Sequence, residues 1–256
     1  MNALLALIKK EIKEHIRSGR LIILGIVFVL FGIMNPAIAK MTPWLYEMLA
    51  DSVAQSGMLV TAITVSAMES WVQFFKNMPM ALIVFILLES SIFTREYQTG
   101  TLILSLTKGL ERHKVVVSKT IVLVAFWTIC YWVCFGITCV YNAYFWDNSV
   151  AHNMMFSAVC WWLFGLWNIS LMILFSTILR TNTGVLIATG GVVLALYLFN
   201  FLPKIKKYLP ILLSDGNSLI RGTLNIDIFI VPIVITIALS IIDIGMSILI
   251  FDKKNL

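Results

Sequence analysis

The chain has 256 residues, of which 60% are hydrophobic and only 12% charged, with mean hydropathy +0.93 and a net charge of +6. Soluble domains carry about a quarter charged residues, so this composition excludes a soluble enzyme or nucleic-acid-binding module and indicates an integral membrane protein. In that setting the basic excess bears on orientation across the bilayer rather than on nucleic acid.

The N-terminal stretch "MNALLALIKKEIKEHIRSGR" places Met1, Leu5, Ile8, Ile12 and Ile16 on one helical face, with Lys9, Lys13, Arg17 and Arg20 toward the others. Residues 1–19 therefore read as an amphipathic elbow helix lying in the headgroup plane, ended by Gly19. A first span follows at about Leu21–Ala39. Its end, "NPAIAK", contains a small-residue pattern that could be cleaved, but the long, acid-containing and helically ordered region before it argues against a signal peptide.

Further spans are expected at about Pro79–Phe93 (starting earlier on the outer side), Ile121–Phe145, Met154–Leu179, Gly184–Leu202 and Ile228–Phe251. The predicted fold class is all-α, with six transmembrane helices forming a single domain over residues 1–256. Unbroken apolar runs exclude a β-barrel, whose strands would alternate.

Of the 19 Lys and Arg residues, thirteen fall on the side holding both termini and residues 94–119. That side is assigned to the cytoplasm. The basic "KIKKY" at Lys204–Tyr208 then lies outside; an odd span count would move it in, but would put the C-terminal "DKKNL" out. Residues 40–78 and 203–227 are the longer outer excursions, and Pro203, Pro210 and Gly216 break the second into short pieces. Trp44, Tyr46, Trp71, Phe74 and Phe75 suit an interfacial aromatic belt. The aromatic run "CWWLFGLWN" in the fourth span reads as lipid-facing and packing rather than as a ligand box.

The polar island "TREYQTGTLILSLTKGLERHKVVVSK", residues 94–119, reads as two short helices broken at Gly109. Thr99 or Thr101 could cap the first near Gly100. Leu102, Ile103, Leu106 and Leu110 give it an apolar side, and Lys108 suits its last turn. Such a helix–turn–helix is shaped to dock into a partner. A solvated loop would not need that leucine cluster.

This segment resembles the signature region of ABC-2 type exporter permeases, matched here at Glu96, Gly100, Thr101, Leu102, Leu104, Lys108, Gly109, Arg112 and Lys119. The turn departs from the family by having Thr107-Lys108-Gly109 where a proline is common, which puts its local geometry in question. The resemblance extends to the amphipathic first helix, the six spans and the ending "IFDKKNL". It implies that residues 94–119 form the coupling segment to an ATPase, with Glu96, Gly100, Thr101, Leu102, Leu106, Lys108, Gly109, Arg112 and Lys119 as coupling residues. It also implies that residues 203–227 form outer re-entrant or short helices capping the path.

No GxxxxGK[ST] is present, so ATP hydrolysis is assigned to a separate subunit. ATP and Mg belong to that partner, and this chain is expected to hold no cofactor, to be no enzyme itself and to bind no nucleic acid. The expected assembly is two ATPase subunits with a second permease copy, as a homodimer, or with a related permease, among the lipids of a bacterial plasma membrane. An amphipathic or lipid-like substrate, such as an antimicrobial peptide or drug, is expected. The alternative is a non-transport scaffold or sensor subunit.

His15, His113 and His152 are too far apart for a metal site. Cys130, Cys134, Cys139 and Cys160 read as packing residues. Asn168-Ile169-Ser170 matches a glycosylation pattern but lies mid-span. Two acids inside spans remain, Glu89 and Asp243. An intramembrane carboxylate should face the bundle or a wet cavity. Each is either a path-lining residue or a structural partner, Glu89 for Arg95 or Arg180, and Asp243 for a nearby serine or backbone group.

Overall fold

The computed structural model describes residues 3–54, 65–100 and 110–254. Among these the fold is all-helical: α1 (Ala3–Arg17), α2 (Arg20–Ala54), α3 (Ala67–Glu89), α4 (Ser91–Thr99), α5 (Arg112–Phe145), α6 (Met154–Ile178), α7 (Asn182–Phe199), α8 (Pro203–Lys206), α9 (Gly216–Ile220) and α10 (Asp227–Lys253). Six helical stretches, led by α2, α3 with α4, α5, α6, α7 and α10, are long and apolar enough to cross a membrane. The small-residue run after Asn35 lies inside α2.

The second spanning helix begins twelve residues before the apolar run at Pro79. Its start is fixed by a capping box, in which the Ser66 hydroxyl accepts from the Met68 amide while Glu69 accepts from the Ser66 amide at 2.8 Å. The segment looks polar when scanned for unbroken apolar length. Its apolar residues nonetheless recur at helical spacing, and Trp71, Phe74, Phe75 and Met78 are all buried.

α6 is the centre of the bundle, packed against α10, α7, α5 and the short helices before α10. Of the expected roles of its aromatic run, packing is the one that dominates, with only Trp162, Leu163 and Leu166 partly exposed. Cys160, Trp161, Phe164 and Trp167 are all buried. A helix apolar on every side does not reveal which face meets lipid. Here every side but a narrow strip meets another helix.

Polar handles on the aromatics stitch α5 to α6: Trp127 Nε1 donates to the Trp162 carbonyl at 3.1 Å, Trp162 Nε1 to Thr128 Oγ1 at 3.2 Å, and the Tyr131 hydroxyl to the Ala158 carbonyl at 2.8 Å. Close approach is possible because residue 165 is glycine; an added Cβ would land on the Trp127 ring. On the other side of α5, the amide of Asn35 joins α2 and α3, donating to Thr138 Oγ1 while its oxygen accepts from Asn77.

The four cysteines are free, three of them buried as packing residues. The excursion between α7 and α10 contains α8, a 3-10 turn at Pro210–Ser214 and α9. Ile211, Leu212, Leu213, Leu219 and Ile220 are turned inward, and Trp161 Nε1 ties the turn to α6 through the Ser214 carbonyl at 2.7 Å. By contrast α7 is peripheral, with only Val185 and Thr189 buried.

Candidate functional site

The densest polar chemistry lies where α1 meets α4 and the start of α5. α1 inverts the usual amphipathic arrangement. Its apolar residues Leu5, Ile12 and Ile16 point away from the protein, at 58%, 37% and 52% exposure, whereas Glu11 and His15 are buried. Glu11 and His15 are one turn apart, so one face presents a carboxylate and an imidazole together.

Both groups find partners far along the chain. Lys119, buried in α5, places its ammonium 3.0 Å from each Glu11 carboxylate oxygen, 3.2 Å from Glu96 and 3.2 Å from the Ile92 carbonyl. Lys10 reaches the other Glu96 oxygen and lies 3.4 Å from Glu11. Two lysines and two glutamates thus neutralise one another, the condition under which buried charges are tolerated. The Glu11, Glu14 and Glu96 carboxylates lie within 4.8 Å of one another, a spacing that could hold a cation, but the two ammonium groups already occupy it.

His15 is the second pairing. Its Nδ1 lies 2.8 Å from the Glu11 carbonyl and its Nε2 2.7 Å from Glu89 Oε2. Both ring nitrogens face acceptors, an arrangement that the doubly protonated imidazolium satisfies in full. Burial alone would push His15 down, but the hydrogen bond and charge of Glu89, with the Glu11 carbonyl, outweigh it and raise it above 6.5. Glu89 therefore pairs with neither Arg95 nor Arg180 but with a histidine 74 residues earlier.

A histidine raised in the fold contributes stability that is complete below about pH 6.5 and drains away as pH climbs through its folded-state value. Thermal unfolding in detergent, followed by tryptophan fluorescence, should show a midpoint falling across that window. His15→Gln should flatten the slope; an unchanged slope would remove His15 as its source.

A third set of contacts surrounds the flanks of residues 101–109. Gly100 ends α4 in the left-handed conformation at φ 68°, the role for which glycine is favoured. Thr99 is the last residue of α4, and its hydroxyl donates one turn back to the Arg95 carbonyl; the helix that Thr99 or Thr101 was expected to cap lies outside the described residues. On the far flank, Arg112 donates to the carbonyls of Phe251, Asp252 and Lys254 at the end of α10. Lys254 in turn donates to the Thr177 and Ile178 carbonyls ending α6, with its ammonium 4.2 Å from the Tyr97 ring centre. Each cation caps a helix C-terminus, where carbonyls lack intrahelical partners.

Of the residues singled out from sequence, Glu96 and Lys119 are brought together inside the bundle, Arg112 joins the end of α10, and Gly100 terminates α4. Thr101, Leu102, Leu106, Lys108 and Gly109 lie outside the described residues. Asp243 stands apart, with Oδ2 3.2 Å from Ser170 Oγ at the α10–α6 contact. Neither Glu89 nor Asp243 lines the largely apolar cavity of about 350 Å3 between α3, α6 and α7, where Trp161, Phe164, Asn168 and Thr189 meet Ile86 and Tyr197. Sequence reading missed Glu11, His15 and Lys10; the available signal was that Glu11 and His15 fall on neither the apolar nor the basic face of α1.

A family model described as ABC-2 family transporter protein matches residues 5–207, from within α1 to the end of α8. A comparison with curated proteins found no match.

Proposed function

We propose, because the chain belongs to the ABC-2 family of transporter proteins, that it is the membrane-spanning permease subunit of an ATP-driven exporter. The family match over most of the chain carries this reading, and the six spanning helices agree with it. α1 lies in the plane of the cytoplasmic leaflet, its outward Leu5, Ile12 and Ile16 in lipid, and both chain ends face the cytoplasm. Two permeases, a homodimer or a related pair, work with two ATPase subunits in a bacterial plasma membrane. ATP and Mg act in those subunits.

Residues 101–109 make the contact with the ATPase. Glu96 is buried and already ion-paired, so it and Lys119 position the segment rather than touch the partner. Closure of the ATPases presses on the segment, and both flanks are anchored. α4 is held to α1 through Glu96 and Lys10, and α5 is held to α10 through Arg112. The push therefore reaches several spans together rather than bending one loop. The apolar cavity beside α7 suits an amphipathic or lipid-like cargo.

The test is co-purification with the ATPase and measurement of substrate-stimulated ATP hydrolysis. Leu106→Asp would place an unpaired charge in the contact, and should reduce both by tenfold or more while membrane insertion stays normal. Unchanged hydrolysis and co-purification would favour a non-transport membrane subunit.

Asp243 is expected to serve packing rather than the path. Its serine partner also donates to the Trp167 carbonyl at 2.7 Å, and one hydroxyl hydrogen cannot serve both acceptors. Asp243→Asn supplies its own donors, and should keep stability within about 0.5 kcal/mol and retain transport. Lost transport with normal yield would move Asp243 into the path.

A further inference from the structure

The cations of α1 that the buried cluster does not use form a second feature. Lys9, Lys13 and Arg17 recur every four residues, which puts them on one helical face. They line a cleft of about 620 Å3 with Arg95 of α4, alongside Lys10 and Glu14. Lys10 is engaged by Glu96. Lys9, Lys13, Arg17 and Arg95 make no ion pair with any described residue. Four side-chain cations converging on one open cleft, with Glu14 as the one carboxylate on its wall, leave the site net positive among the described residues.

The neighbouring surface indicates what fills it. Ile16 lies seven residues from Lys9 and three from Lys13, so the outward apolar stripe and the basic face adjoin along α1. A ligand lying across that border would meet apolar carbon on one side and cations on the other. We propose that this cleft binds the phosphate headgroup of an anionic phospholipid, its acyl chains running along Ile12 and Ile16. Lysine and arginine groups at a membrane surface attract anionic headgroups in an additive way, and Arg17 and Arg95 can each bind phosphate oxygens through two parallel N–H groups. The site holds the outer face of α1 against lipid while Glu11 and His15 hold its inner face against the bundle. The inference rests on the interfacial placement of α1, not on transport or on the ATPase.

The test is a lipid titration of the detergent-solubilised full-length chain, read by native mass spectrometry. The probes are phosphatidylglycerol, phosphatidylcholine with the same acyl chains, and glycerol phosphate alone. Phosphatidylglycerol should bind in preference to phosphatidylcholine, and added salt should weaken it. Lys13→Gln/Arg17→Gln changes two exposed side chains and should lower the phosphatidylglycerol affinity roughly thirty-fold, whereas Lys206→Gln/Lys207→Gln, an equal charge change elsewhere, should not.

Equal loss in both double variants, or equal binding of the two lipids, would overturn the site. Displacement of the lipid by equimolar glycerol phosphate would show a site for free phosphate instead, and would overturn the lipid assignment. A fluorophore on Ile16→Cys, quenched by nitroxide-bearing lipid, reports the placement of α1 independently. Quenching without a phosphatidylglycerol preference would sink the headgroup site and leave the placement standing; no quenching would sink the placement itself.

Discussion

Lys119→Met is expected to destabilise the protein by about 3–5 kcal/mol, the range for removing one partner of a buried charge pair. The reason is the number of groups that one ammonium serves. It sits between both oxygens of Glu11, one of Glu96 and the Ile92 carbonyl. Methionine fills the volume but leaves the cluster with one uncompensated negative charge beside a membrane-spanning helix. Unfolding can be followed with a thiol-reactive dye, because Cys130, Cys134 and Cys160 are buried and free. The midpoint should drop sharply, and folded yield with it. Adding Glu11→Gln should recover much of the loss, since the remaining Lys10–Glu96 pair is neutral by itself. If Lys119→Met melts like the parent chain, the cluster contributes nothing to stability.

Gly165→Ala is expected to be nearly as damaging, though it adds a single methyl group. That group would land on the Trp127 ring. The ring cannot swing aside: it is fully buried, hydrogen-bonded to the Trp162 carbonyl and packed edge-on against Phe28 and Phe85. Overpacking of this kind costs typically 1–3 kcal/mol and sometimes more. The dye-detected midpoint should fall, and Trp127→Leu in the same chain should restore part of it by vacating the space. A wild-type midpoint in Gly165→Ala would mean that α5 and α6 can move apart freely.

The spanning helices were legible because continuous apolar length is a local property. Five spans begin within about ten residues of where the apolar runs place them. The exception at α3 has a local cause as well, since Trp71, Phe74, Phe75 and Met78 are interleaved with polar residues and their signal is periodic rather than continuous. The pairings were not legible. Glu89 could be recognised as an acid needing a partner, but nothing near it in the chain indicated His15 over Arg95. Lys119 matched a signature position, yet its reason for being lysine lies in Glu11, 108 residues earlier. The aromatic run of α6 was legible as packing, but not which of its faces, because an all-apolar helix reads alike whether it faces lipid or protein.

The inverted face of α1 also has a consequence for biosynthesis. α1 leaves the ribosome before its partners, carrying Glu11 and His15 on the side that the finished protein buries. Glu89 follows 74 residues later and Lys119 108 residues later. At translation rates of about 5–20 residues per second, the first helix waits roughly 5–20 seconds for its last counter-charge. During that interval its acidic and imidazole groups need water, while its leucine and isoleucine stripe can already enter the membrane surface. On the interfacial placement proposed above, the nascent helix waits at the membrane surface, and the third span, on delivering Lys119, completes its contacts with the bundle. On that placement, the partners of α1 arrive in chain order, Glu89 for His15 first and Lys119 for Glu11 last.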